Sequence, residues 1–376
     1  MLLLHQHQSR LPVELYRPIV EAVCDRAALL NLTAACTLLR AEAERALYRR
    51  IELDPERDPL FCEFFSQSAS RIARHVQKCS LYLPGSRPSV DYFEGIARRR
   101  SLGQNTPCTT APICRTSTSA RVASCIPLMK NLRELSISGK TSGVKFGKLL
   151  RGSRLSLNSF ASTTPLDKTT LEFLESQPHI TELTILHSRL SSPLPGHKLS
   201  SRALPNLSVI RALTPRIATE LVPRRPVTHV ETYVWGNDSC ASIASRLSRS
   251  RGPIRAFLVI QGFKLRVRDI EDIAESLPSL EYIGECHFVD SATACAKALS
   301  RFPSLRTLVL SLQGLSTDDL PALVAVLSHA CPSLSTIVFT IALMPRQLWV
   351  RDALSGRWQH ANRPPQSICC TLWTSA

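Results

Sequence analysis

From about residue 122 to residue 345 the chain repeats itself. Each unit holds a helix-like stretch, then often a proline, then a short strand in which apolar residues alternate. Eight segments carry the pattern: 129–137, 178–185, 205–210, 226–234, 253–259, 278–283, 303–310 and 332–339. With Leu132, Ile180, Leu207, Val230, Ile254, Leu280, Leu305 and Leu334 as anchors, the gaps are 48, 27, 23, 24, 26, 25 and 29 residues. The first gap is twice the others, and a degenerate copy around Leu155-Ser156-Leu157 fills it. A unit of this length has room for one strand and one helix, and it buries its apolar face only by stacking on its neighbours. An ordinary α/β domain with evenly spaced strands is the alternative. The proline that recurs ahead of the anchors favours the repeat.

A period near 25 residues falls in the leucine-rich-repeat range. The expected fold class is therefore an α/β repeat: a small all-α unit at the N-terminus, followed by a leucine-rich-repeat-type solenoid. Helix-like stretches between the strands include Ile270–Leu277 and Leu320–Leu327. Asp318 and Asp319 suit a helix N-terminus, where acids meet the positive end of the dipole.

Residues 10–53 read as a helical unit. Apolar residues fall three and four apart at Val13, Leu15, Ile19, Val20 and Val23. They recur at Leu29, Leu30, Leu32, Ala35, Cys36 and Leu39, and again at Ala43, Ala46, Leu47 and Ile51. That spacing puts one apolar face on each of three helices. Pro12 suits a first helical turn, whereas Pro18 is expected to kink or restart the first helix. Residues 1–9 form a flexible N-terminus, and 54–100 a mixed α/β linker with a helix around Phe61–Val76 and a strand at Ser80–Leu83. Residues 101–121, rich in Ser, Thr and Pro, read as a loop or disordered insert. The repeat array occupies 122–345, and 346–376 form a C-terminal cap or tail.

The N-terminal segment resembles the F-box family. The pieces that carry the likeness are Leu11-Pro12-x-Glu14-Leu15, Ile19-Val20, Leu29-Leu30-x-Leu32, Ala35-Cys36-x-x-Leu39-Arg40, Ala43 and Leu47-Tyr48-Arg49-x-Ile51. The last of these, and the pairing with degenerate leucine-rich repeats, are similar to F-box-like proteins of mushroom-type fungi. The resemblance implies a substrate receptor of a Skp-cullin-F-box ubiquitin ligase. Leu11, Pro12, Leu15, Ile19, Leu30, Cys36 and Leu39 would bind a Skp-type adaptor and, through it, a cullin-RING ligase. The repeat array would hold a protein substrate, and its residues are not named by the sequence. A free unit of about forty residues is too small to bury all its apolar surface, so these side chains either dock a partner or cap the repeats.

No chemistry stands out. There is no phosphate-binding glycine loop, no G-x-G-x-x-G turn, no H-E-x-x-H and no G-x-S-x-G elbow. A triad assembled from distant residues would escape such a search; the expectation is a non-catalytic protein with no cofactor and no metal. His229 and His287 read as packed or surface side chains beside strands. Thirteen cysteines, odd in number and without a CxxC pair, fit free thiols in the cytoplasm or nucleus. No run of eighteen apolar residues suggests a membrane span. The formal charge is +16, with 46 basic residues against 30 acidic ones. The arginines are scattered and no nucleic-acid-reading motif accompanies them, so the charge points only to an acidic or phosphorylated target. Trp349, Trp358 and Trp373 lie among Arg346, Arg351, Arg357 and Arg363, which makes the C-terminus either a cap on the last repeat or a ligand surface.

Overall fold

The computed structural model describes residues 12–83, 121, 124–139, 150, 153–187, 199–233, 239–312, 317–341, 346–361 and 373. Two compact units divide them, the first running as far as Leu157 and the second beginning at Asn158.

The first unit opens with three helices, α1 (Val13–Ala22), α2 (Arg26–Ala35) and α3 (Thr37–Leu47). Asp25 caps α2 by accepting hydrogen bonds from the amides of Ala27 and Ala28 at 3.3 and 2.9 Å. Helix α1 runs through Pro18, where a kink or restart was expected. Pro18 and Glu14 both lie on the exposed side, so water can take the Glu14 carbonyl that the missing N–H leaves unpaired. The third apolar stretch ends at Leu47, because Ile51 belongs to strand β1 (Arg50–Leu53) and not to the helix. Helix α4 (Pro59–Ile72) and strand β2 (Lys78–Tyr82) follow, in the stretch read as a linker, and β3 is Glu134–Ser138. These three strands pair in parallel and in order, with Ile51, Cys79 and Leu135 in one row and Leu53, Leu81 and Ile137 in the next. All six are buried. The segment 54–83 thus supplies a strand and a helix of the repeat.

The second unit continues the same pattern. Its parallel strands are β4 (Ser159–Ser162), β5 (Glu182–Ile185), β6 (Val209–Ala212), β7 (His229–Tyr233), β8 (Ala256–Leu265), β9 (Tyr282–Phe288), β10 (Thr307–Leu312) and β11 (Thr336–Ile341). Each pairs with the next. The connecting helices are α5 (Lys168–Glu175), α6 (Pro215–Leu221), α7 (Cys240–Leu247), α8 (Val267–Ser276), α9 (Ala292–Leu299) and α10 (Leu320–Ala330). Two antiparallel strands, β12 (Gln347–Arg351) and β13 (Trp358–Ala361), extend the sheet beyond β11.

A single apolar row crosses the second unit: Phe160, Leu183, Ile210, Val230, Phe257, Ile283, Leu308 and Ile337 are register partners on successive strands. All are buried. The repeat is equally plain in the main chain. Two residues ahead of each strand from β2 to β11 sits a buried anchor: Val76, Leu132, Leu157, Ile180, Leu207, Val227, Ile254, Leu280, Leu305 and Leu334. The degenerate copy expected around 155–157 is therefore present, with Leu157 as its anchor. The anchor before β7 is Val227, whereas Val230 lies within the strand. After each of nine of these anchors, all but Leu157, two consecutive amides donate to one carbonyl of the preceding repeat. Arg255 and Ala256 donate to Thr228, Glu281 and Tyr282 to Arg255, and Arg306 and Thr307 to Glu281. Hydroxyls reinforce the ladder where the residue allows it, as when Ser208 Oγ donates to the Thr181 carbonyl at 3.1 Å.

Candidate binding surfaces

The three N-terminal helices bury Val20, Leu29 and Ala43, with Val23, Leu32, Leu39, Ala46 and Leu47 packed around them. This leaves large apolar side chains uncovered. Leu15 is 44% exposed, Ile19 43% and Leu30 50%. Leu15 and Ile19 are one turn apart on the same flank of α1, in line with exposed Pro12. Cys36, between α2 and α3, is exposed. Leu39 instead turns into the small core, so its contribution is to hold the helices together. Leu11 lies outside the described residues. In the same unit, Glu44 of α3 is buried and pairs with Arg71 of α4 at 3.1 Å.

The second surface is the strand face of the second unit that alternates with the apolar row. Parallel register places Glu182, Val209, His229, Ala256 and Tyr282 in line, and Thr184, Arg211, Glu231, Leu258 and Gly284 in the next line. Arg211 bridges two acids, with Nε 3.2 Å from Glu231 and Nη1 3.9 Å from Glu182. Trp373 lies over this guanidinium, whose carbon is 4.6 Å from the ring centroid. The ring of His229 meets the indole edge-on at 5.4 Å. Trp373 is 2% exposed and shares a cluster with Ala256, Tyr282, Val309, Val338 and Leu348.

The electrostatics follow from this burial. Burial pushes the Glu231 carboxyl above its ordinary range, and Arg211 opposes that shift. Glu285, just past Gly284 with a φ of 55°, is pushed up the same way, and Arg346 at 3.4 Å opposes it. His229 is held below the ordinary imidazole value by burial, then by Arg255 and Arg211. Its Nδ1 is 2.7 Å from Thr228 Oγ1. Its Nε2 makes no bond of full hydrogen-bond geometry, although the nearby main chain of Trp373 favours a proton there. Gly284 makes room for the cluster, since a Cβ there would stand 2.3 Å from the Leu258 side chain and 2.8 Å from the Tyr282 ring.

Such a face can hold an aromatic ring against a fixed cation. Among the described residues, no group of three or more His, Cys, Asp or Glu is placed to hold a metal. Among those residues too, no helix is long and apolar enough to cross a membrane. Reading the sequence singled out His229 and Trp373 but not Arg211, Glu182 or Glu231. The signal that finds Arg211 and Glu231 is the anchor, because each stands four residues after one, at Leu207 and Val227.

No protein-family model matches the chain, and no curated protein does. Among solved structures, a chain of the crystal structure of the yeast Rad7 and Elc1 complex is similar over 86% of this chain and 86% of its own length. The identity is 12% and the TM-score 0.38, too low for the likeness to bear on fold or function.

Proposed function

We propose that the protein is a non-catalytic substrate receptor of a Skp-cullin-F-box type ubiquitin ligase. In this reading the N-terminal helices bind a Skp-type adaptor and the strand face of the repeats binds a protein substrate. The observation that carries it is the set of apolar side chains, Leu15, Ile19 and Leu30, left uncovered on a unit whose own core is only a few residues deep. Exposed apolar side chains one turn apart, as Leu15 and Ile19 are, mark interaction sites, and Leu30, Pro12 and Cys36 are exposed on the same unit. The work of such a protein is proximity, so it needs no reacting side chain. The Glu44–Arg71 ion pair favours a second role for α3, which is to anchor the helices on the first repeat as a cap. The two roles use different residues of the unit.

The test is capture of a Skp-type adaptor by the full chain, followed by the double variant Leu15→Asp, Ile19→Asp. Both positions are exposed, so far-ultraviolet circular dichroism should be unchanged while adaptor capture falls at least about tenfold, the size expected when charge enters an apolar contact. Undiminished capture by a folded double variant leaves the helices as a cap and no more.

A further inference from the structure

Trp373 has neighbours that a residue merely closing the edge of a core does not need. Besides the apolar cluster it shares with Ala256, Tyr282, Val309, Val338 and Leu348, one side of the indole rests on the guanidinium of Arg211, and the His229 ring meets it edge-on. The Arg211 side chain is held by Glu182 and Glu231 from neighbouring strands, so the seat is formed by strand residues alone. The indole Nε1 is buried and makes no hydrogen bond, whereas a tryptophan fixed in a core ordinarily satisfies it. A partner that brings an acceptor to this nitrogen would be better matched to the seat than the chain's own tail.

We propose that Arg211, His229, Ala256 and Tyr282 form a recognition seat for a tryptophan-bearing segment of a protein partner, and that Trp373 is its occupant in cis. The seat selects tryptophan because that ring has the strongest cation–π face and fills the space between the guanidinium and the Tyr282 cluster. The tethered Trp373 acts at high effective concentration, so it excludes weak ligands and yields to a well-matched one. This inference rests on the strand face being the partner-binding surface and is independent of the adaptor.

The experiment uses the full chain and a fluorescein-labelled peptide of residues 371–376, Thr-Leu-Trp-Thr-Ser-Ala. Fluorescence anisotropy should show the Trp373→Ala chain binding this probe at least about tenfold more tightly than the wild-type chain, whose own Trp373 competes. Adding Arg211→Met to the Trp373→Ala chain should weaken binding about tenfold, and a probe with alanine in place of tryptophan should not bind. Equal binding to the wild-type and Trp373→Ala chains overturns the inference, as does binding indifferent to Arg211→Met. A Trp373→Ala chain that loses its cooperative thermal transition makes Trp373 a core residue and overturns it too. Loss of adaptor capture with probe binding intact would count against the ligase reading alone.

Discussion

Arg225 shows how much one side chain can hold in a stacked array. It is 3% exposed, and burial alone lowers its pKa, yet a guanidinium stays charged in any folded protein. The charge is accommodated by carbonyls. Nε donates to Ala203 at 2.9 Å, Nη1 to Leu221 at 2.6 Å and Nη2 to Ser200 at 2.9 Å. The main chain of Arg225 works in the next repeat, since its carbonyl accepts from the Arg251 amide and from Ser250 Oγ, each at 2.9 Å. The planar fork serves three acceptors in fixed directions, which an ammonium on a flexible stem does not reproduce. Arg225→Met keeps most of the volume and takes the donor from three carbonyls, two of them on the buried residues Ala203 and Leu221. It should destabilise the second unit by roughly 3 kcal/mol or more in urea unfolding, with Arg225→Lys between the two. A change within about 0.5 kcal/mol, as for an ordinary surface site, would show that water replaces the fork without loss. The sequence offered only an Arg-Arg dipeptide here. Which member turns inward depends on the left-handed backbone of Arg224, at φ 66°, and periodicity does not report that.

The strand and the residue two places before it form the element that repeats. The anchor is fully inside while the amides after it reach back to the preceding repeat, so side-chain burial and main-chain pairing depend on the same few residues. Leu280→Ala should therefore cost about 2–5 kcal/mol, as a cavity among neighbours that cannot close in. Leu354→Ala, 98% exposed in the turn between β12 and β13, should stay within about 0.5 kcal/mol. Comparable losses from the two, measured by urea unfolding, would mean the anchor is not where the repeat is held. This element was legible in the sequence because burial recurs at a fixed offset and proline stops the helix ahead of it, as Pro278 does after α8, Pro303 after α9 and Pro332 after α10. The period slipped at one place. Val230 is as apolar as Val227 and just as buried, and composition cannot tell an anchor from a strand residue three positions later. Strand β1 escaped, and β2, legible as a strand at Ser80–Leu83, stayed outside the repeat pattern, because the stretch between Val76 and Leu132 is broken by the Ser-, Thr- and Pro-rich segment 101–121. The seat of Trp373 escaped because it joins β6, β7, β8 and β9 to a residue more than ninety positions further along the chain than Tyr282, a proximity that only the stacking creates.

At the scale of the whole molecule, the cysteines report how the two units open. Cys62, Cys79 and Cys125 are buried in the first unit, and Cys240, Cys286, Cys295 and Cys331 in the second, while Cys24 and Cys36 are exposed. Burial pushes the Cys62 and Cys79 thiols up to about 12, and those of Cys295 and Cys331 up to about 11. Cys125 and Cys286 are raised by the same cause. Only the thiolate is nucleophilic, so at pH 8 these groups are nearly all protonated as well as shielded. A short pulse of iodoacetamide with peptide mapping should label Cys24 and Cys36 in the native chain and leave the buried set unmodified. Along a urea series the buried thiols of one unit should become reactive at a shared midpoint if that unit opens cooperatively. Staggered midpoints from Cys240 to Cys331 would instead mean that the repeats open one after another. The same shifts give alkaline pH a direction. A raised thiol contributes stability that is complete below the ordinary value of about 8.5 and is lost as the pH climbs toward the folded value. The urea midpoint of each unit should therefore fall between about pH 9 and pH 11, and replacing Cys62 and Cys79 with alanine should remove most of that fall from the first unit. A midpoint in the double variant that falls as steeply as in the wild type would assign the alkaline loss to other groups.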